Sequence, residues 1–252
     1  MTSSTEVPEN TLTERVGAWA MLGLAAGLGG ASLVAFGVFL YAGSFGLVEF
    51  DLDFRGDLAI DAGLSILFFV QHSWMVRRSF KQWLARVISK HYLDAVYAIA
   101  SGIALLAVLL LWQDSGQVIW QATNGVWWAM RMMFLLALAA GVWGGLSLKG
   151  FDSFGLRPIR RRFRPEPSPP SVLVVKGAYR WVRHPLYLVM LLMIWSYPVL
   201  TVDRLLFNVL WTTWIVIGTV LEERDLAADF GNDYCEYQRN VPMLLPTRIP
   251  GR

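Results

Sequence analysis

Arg183-His184-Pro185-Leu186-Tyr187 and Leu221-Glu222-Glu223-Arg224-Asp225-Leu226 bracket two apolar runs, residues 186–200 and 205–221, with Thr201-Val202-Asp203-Arg204 as the polar turn between them. Charged clusters at both ends of an apolar double segment predict a helical hairpin that enters a bilayer and returns to the same face. Pro198 helps end the first arm, since the residue before a proline is pushed out of helical space. Each arm is short for an upright span, which needs about 20 residues. The hairpin brings cations and carboxylates that are distant in sequence to one membrane face, where they can build one site.

The rest of the chain agrees with a membrane reading. Of its 252 residues 55% are hydrophobic and 16% charged, with 12 Trp and a mean hydropathy of +0.45, too apolar for an ordinary soluble domain. Apolar stretches at residues 16–41, 58–76, 92–112 and 126–148 give four spans ahead of the hairpin. Arg77, Arg78, Lys81, Arg86 and Lys90 alternate with Phe80, Trp83, Leu84 and Val87 at helical spacing, predicting a basic amphipathic helix on the membrane surface. Residues 149–185 read as a loop, because of Arg160, Arg161, Arg162, Arg164 and the Pro165-to-Pro170 run. Residues 222–252 read as an amphipathic tail. Trp112, Trp120, Trp127 and Trp128 near span ends read as an interfacial belt.

Placing both termini, the two basic loops and the tail inside leaves only Arg55, Arg131 and Arg204 of the 22 basic residues outside. This bias orients both termini and the hairpin clusters to the cytoplasm. The expectation is an all-α polytopic membrane protein of one domain, residues 1–252, with five to six transmembrane helices including a C-terminal hairpin, in a bacterial inner membrane. The first ten residues have no basic n-region, so a cleaved signal peptide is not expected. One cysteine and three histidines make no metal-ligand spacing. There is no Gly-x-Gly-x-x-Gly motif, which excludes a soluble Rossmann-type methyltransferase. The arginine run beside a span suits anionic lipid rather than nucleic acid. The oligomeric state is left open.

The carboxyl-terminal third resembles the integral membrane methyltransferases related to isoprenylcysteine carboxyl methyltransferase and the phospholipid methyltransferases. The resemblance rests on Arg183 to Tyr187, Glu222-Glu223, Phe230-Gly231 with Tyr234 and Tyr237, and Val241-Pro242, in that order. A narrower resemblance, to the bacterial methanethiol S-methyltransferase family, rests on residues 70–75, 151–157, 221–226 and 241–246. It implies S-adenosylmethionine as methyl donor and a small thiol as acceptor, with methanethiol giving dimethyl sulfide. Methylation of another thiol, a selenol or a lipid stays open. So do a membrane reductase and a non-catalytic accessory protein of related fold.

The side chains suit that donor, which carries a carboxylate, an ammonium, hydroxyls, an adenine and a sulfonium. Arg183, His184, Pro185, Tyr187, Glu222, Glu223, Tyr234 and Tyr237 are the expected cofactor-binding residues. Arg183 or His184 is expected on the carboxylate, Glu222 on the ammonium or a hydroxyl, and the aromatic rings on adenine and sulfonium. Pro185 fits the first helical turn and fixes its neighbours there. His72, Tyr187 and Glu222 are the candidate catalytic residues. His72 is polar and intramembrane, and such a residue is costly unless it has a task or a packing partner. Asp61 is three turns from His72, too far to touch it, and is expected to pair structurally. Asp152 and Arg157 are further candidates for closing the site or contacting the cofactor.

Overall fold

The computed structural model describes residues 12–148, 152, 154–163, 173 and 175–248. Its helices are α1 (Leu12–Ala42), α2 (Phe54–Met75), α3 (Arg78–Leu84), α4 (Leu93–Leu110), α5 (Asn124–Ser147), α6 (Leu156–Phe163), α7 (Pro185–Ile194), α8 (Val202–Phe230) and α9 (Asn232–Asn240). Two short strands, β1 (Val118–Gln121) and β2 (Val199–Thr201), pair antiparallel. Among the described residues α1, α2, α4 with its preceding turn, α5 and α8 are long and apolar enough to cross a membrane. The protein is an all-α polytopic membrane protein with one small sheet.

Close helix contacts occur where the sequence is small. Ala18, Leu22, Ala25, Gly29 and Ser32 form the buried stripe of α1 and meet Ala95, Ala98 and Gly102 of α4. A Cβ on Gly102 would sit 3.1 Å from the Leu28 carbonyl oxygen, so the backbones approach as in small-residue membrane seams. Farther along, the packing turns aromatic. Phe36, Phe39, Phe68, Trp112, Phe207 and Trp211 form one cluster joining α1, α2, α8 and the segment just after α4.

The hairpin differs from expectation in its first arm. Helix α7 ends at Ile194, and the chain continues through Pro198 into β2, which pairs with β1 beyond the far end of α4. Ten helical residues at about 1.5 Å each give about 15 Å, half of a ~30 Å hydrocarbon core, and beyond Ile194 the chain runs through a turn at Trp195 and Ser196 into β2. Non-helical backbone at that depth must be satisfied by protein. The Ser196 hydroxyl donates to the Met193 carbonyl, the Asn208 amide to those of Ile194 and Arg204, and the Tyr197 hydroxyl to that of Ala42. Helix α8 has 29 residues, about 43 Å at the same rise, and overshoots a ~30 Å core. Glu222 and Glu223 therefore lie within its last turns rather than in the tail.

Other expectations are corrected too. The segment 149–185 holds α6 where a loop was expected. Pro158 falls in its first turn, where no helical N–H is needed, and Asp152 accepts the Leu156 and Arg157 backbone N–H groups. Ile159 is fully buried against α1 and α4. Asp152 thus caps α6. Phe151, Ser153, Arg164 and the proline run lie outside the described residues. The amphipathic α3 is present and pinned, with Arg78 on Asp229 at 2.6 Å and Lys81 on Asp94 at 2.7 Å. Trp112 is 2% exposed and is core rather than belt; its Nε1 donates to Asp203. Asp61 is also buried and accepts the Gln113 N–H, while Arg204 donates to the Phe39 and Leu40 carbonyls that close α1.

Asp203 joins the hairpin turn to the end of α4, accepting also the Ser115 N–H and hydroxyl. Asp203→Ala is expected to leave those buried donors unpaired and to cost about 1–3 kcal/mol, read as a lower unfolding midpoint in detergent. Asp203→Asn, which keeps an acceptor, is expected to lose less.

Candidate functional site

Nothing between Val202 and Phe230 stops α8, since proline is absent there; it ends at Gly231, whose φ of 57° suits a residue without a Cβ. Successive residues on a helix point about 100° apart. The adjacent carboxylates Glu222 and Glu223 therefore face different neighbours.

Glu223 faces the tail and is buried. Its carboxylate accepts from Arg183 Nε and Nη2, both at 2.8 Å, from His184 Nε2 at 2.7 Å, from the Tyr234 hydroxyl at 2.8 Å and from Gln238 Nε2 at 2.7 Å. Arg183 also donates through Nη1 to the Gln238 and Val241 carbonyls. The backbone N–H groups of Arg183 and His184 donate to the Pro242 and Met243 carbonyls at 2.9 and 3.1 Å. The Val-Pro turn after α9 is thus the acceptor edge that receives the Arg-His backbone. Pro185 opens α7 at its first position, where its missing N–H costs nothing.

Glu222 faces α7. The Tyr187 hydroxyl donates to it at 2.6 Å, and its side chain is 44% exposed. The rings of His184 and Tyr187 stack with centroids 5.5 Å apart and planes 11° apart. The hydrogen bond from His184 Nε2 to Glu223 leaves Nδ1 on the side of Glu222, 3.9 Å from its Oε2.

Between these elements lies a cavity of about 370 Å³. Arg183, His184, Tyr187, Glu222, Tyr234 and Tyr237 line it, joined by Tyr179 and by apolar residues that include Leu186, Leu226 and Phe230. Tyr237 donates to the Tyr179 carbonyl at 2.6 Å. Burial pushes the Tyr179 phenol up to about 12, assisted by the Glu222 carboxylate. Burial, and then the hydrogen bond to Glu223, carry the Tyr234 phenol well above its ordinary value; burial does the same for Tyr237. These rings stay uncharged at neutral pH, which leaves Glu222 as the open carboxylate among the described lining residues.

The structure thus gathers Arg183, His184, Tyr187, Glu222, Tyr234 and Tyr237 around one space, with Glu223 behind them and Pro185 at the helix mouth. His72 is not on that lining; it lies on α2 against Tyr97 of α4. Sequence reasoning missed Tyr179, Gln238 and Tyr97. An aromatic four residues before Arg183 was the available signal for Tyr179, whereas Gln238 becomes meaningful only once α9 folds back on α8. Among the described residues no cluster of three or more potential metal ligands forms.

Comparison with known proteins gives the family of the chain. The NnrU protein family profile matches residues 62–224. A methanethiol S-methyltransferase of Crocosphaera subtropica is 36% identical over 190 residues, covering 75% of this chain and 74% of its own. One from Pseudomonas deceptionensis is 36% identical over 197 residues, covering 77% and 75%. Nurim of Mus musculus is more distant, 28% identical over 185 residues and 70% of each chain. No solved structure matches the chain.

The two carboxylates have separable roles in stability. Glu223→Ala strands a buried guanidinium and is expected to cost about 3–5 kcal/mol, whereas Glu222→Ala removes one half-exposed hydrogen bond and is expected to cost about 1 kcal/mol. Thermal unfolding of both variants in detergent measures the difference.

Proposed function

The chain belongs to the NnrU protein family and to the methanethiol S-methyltransferase family, and on that premise we propose that it transfers a methyl group from S-adenosylmethionine to a small thiol, with methanethiol giving dimethyl sulfide as the favoured reaction. The observation that carries this reading is an aromatic-walled cavity in which, among the described lining residues, the Glu222 carboxylate is the charge without an ion-paired cation. Arg183 and Glu223 neutralise each other beside it. A donor with an ammonium and a sulfonium against one carboxylate is a net cation, and the cavity has the sign and the partners for it.

The residues present fit the donor. The volume of about 370 Å³ lies within the roughly 300–1,000 Å³ of small-molecule sites. Glu222 is the acceptor for the ammonium or a ribose hydroxyl, and Tyr187 holds Glu222 in place through its hydroxyl. Tyr234 and Tyr237 offer uncharged rings for adenine and for the sulfonium. Arg183 and His184 reach the donor carboxylate by competing with Glu223 and, for Arg183, with the Gln238 and Val241 carbonyls. When bound, S-adenosylmethionine supplies an electrophilic methyl carbon on a good leaving group, so most of the protein's task is orientation. The remaining task is to favour the thiolate, since an alkyl thiol with a pKa at or above about 8.5 is mostly protonated at neutral pH. His72 is assigned that proton.

The excess of basic residues at the site end supports a cytoplasmic site in a bacterial inner membrane, with both termini on that side. The donor then arrives from the cytoplasm and the apolar thiol through the lipid. The whole chain acts as one unit, its tail forming the donor wall, with membrane lipid as its surroundings and no role for nucleic acid.

Headspace analysis of cells expressing the protein and fed methanethiol is expected to show dimethyl sulfide; its absence would sink the choice of acceptor. Glu222→Ala is expected to abolish calorimetric binding of S-adenosylmethionine. His72→Ala is expected to retain binding and to lower turnover by about a hundredfold, the lower end for general acid–base groups. Equal loss of binding in both variants would defeat this division of roles.

A further inference from the structure

Polar side chains of α2 and α4 meet at the site end in two successive rungs. Gln71 Nε2 donates to Ser101 Oγ at 3.3 Å and to Met75 Sδ at 2.9 Å. One residue on, the His72 imidazole meets the Tyr97 hydroxyl, 2.8 Å from Nε2 and 3.2 Å from Nδ1. Tyr97 and Ser101 are four residues apart on α4, hence on one face. Phe68 and Trp214 flank the imidazole, each with its ring centroid 5.3 Å away. Gln71 Oε1 is buried with no hydrogen-bond partner. An orphaned acceptor in an apolar segment marks a place that a hydrogen-bond-donating guest would complete.

The depth of this cluster matches the donor cavity. His72 is in the last turn of α2 and Tyr97 in the second turn of α4, while Tyr187 is in the first turn of α7 and Glu222 near the end of α8. The hairpin and the span order bring all four helix ends to one side, and Tyr97 lies within electrostatic range of Tyr187. Leu67, Val70 and Trp74 of α2 are exposed on the flank that faces lipid.

We propose that Gln71, His72 and Tyr97 form the acceptor-side site for a small apolar thiol, with Tyr97 as the positioning residue that fixes the His72 tautomer. This rests on the thiol-methylation reading. The Tyr97 hydroxyl lies nearer Nε2, at 2.8 Å, than Nδ1, at 3.2 Å; in the tautomer that donates Nε2–H to the Tyr97 oxygen, Nδ1 is the ring's acceptor for the S–H. As the thiol sulfur forms its bond to the methyl carbon, the carbon–sulfonium bond breaks and its electron pair stays on the departing sulfur. The thiol proton passes to Nδ1 and then to solvent. Tyr97 touches no reacting atom.

The test compares wild type with Tyr97→Phe in detergent. Turnover of methanethiol is expected to fall about tenfold, the loss that goes with one orienting hydrogen bond, with the calorimetric Kd for S-adenosylmethionine unchanged. Nitrogen-15 histidine spectra without donor, with the His72 signals assigned through His72→Ala, give a readout independent of turnover. Wild type is expected to show one His72 tautomer that shifts when methanethiol is added, and Tyr97→Phe a tautomer mixture with a weaker response. A wild type that makes no dimethyl sulfide but keeps the thiol-dependent shift would overturn the proposed reaction and leave this site standing. A His72 signal indifferent to thiol, or identical in the two proteins, would overturn the site.

Discussion

A guanidinium and a carboxylate buried at the edge of a bilayer are tolerated only if they find each other and satisfy their remaining donors and acceptors. Arg183 and Glu223 meet that requirement, and the end of the molecule is arranged around it. Glu223 collects donors from α7's entry, from α9 and from the segment before α7, while Arg183 ties down the carbonyls that close α9. With α8, α7 and α9 locked in this way, the neighbouring Glu222 has one direction left, into the cavity. The carboxylate that lines the cavity and the carboxylate that holds the fold are adjacent in the chain and separated by helical geometry.

The unequal arms of the hairpin serve the same end. A helical first arm of full length would carry its own backbone bonds, whereas the observed arm ends its helix at Ile194, turns into β2 and relies on Ser196 and Asn208 for the carbonyls at its end. In return β2 docks on β1 and Asp203 clasps Trp112 and Ser115, which fixes where α8 starts. From that start α8 is long enough to overshoot the bilayer. The overshoot forms the carboxylate wall.

Behind the site, the packing is rigid for two different reasons. Small residues bring α1 and α4 into backbone contact, and interlocked rings fill the space between α1, α2 and α8. Phe68 and Trp214 belong both to this aromatic slab and to the surroundings of His72. The side chain proposed for the thiol is therefore held by the same core that carries α8 to the cavity.

Apolar length and charge placement are local properties, so the sequence by itself determined the membrane class, the spans and the gathering of Arg183, His184, Tyr187 and the two glutamates at one face. The order of those residues with Tyr234, Tyr237 and Val241-Pro242 also pointed to the site. It did not separate Glu222 from Glu223, because the two are chemically identical until α8 turns one toward α9 and the other toward α7. Likewise α6, whose Ile159 needs α1 and α4 to bury against, looked like loop beside its prolines, and Trp112 looked interfacial until Asp203 was seen to receive its N–H. Tyr97 carried no signal in a span of apolar residues. Only the tertiary structure set it against His72, because partners across two helices are chosen by packing register, which no local pattern encodes.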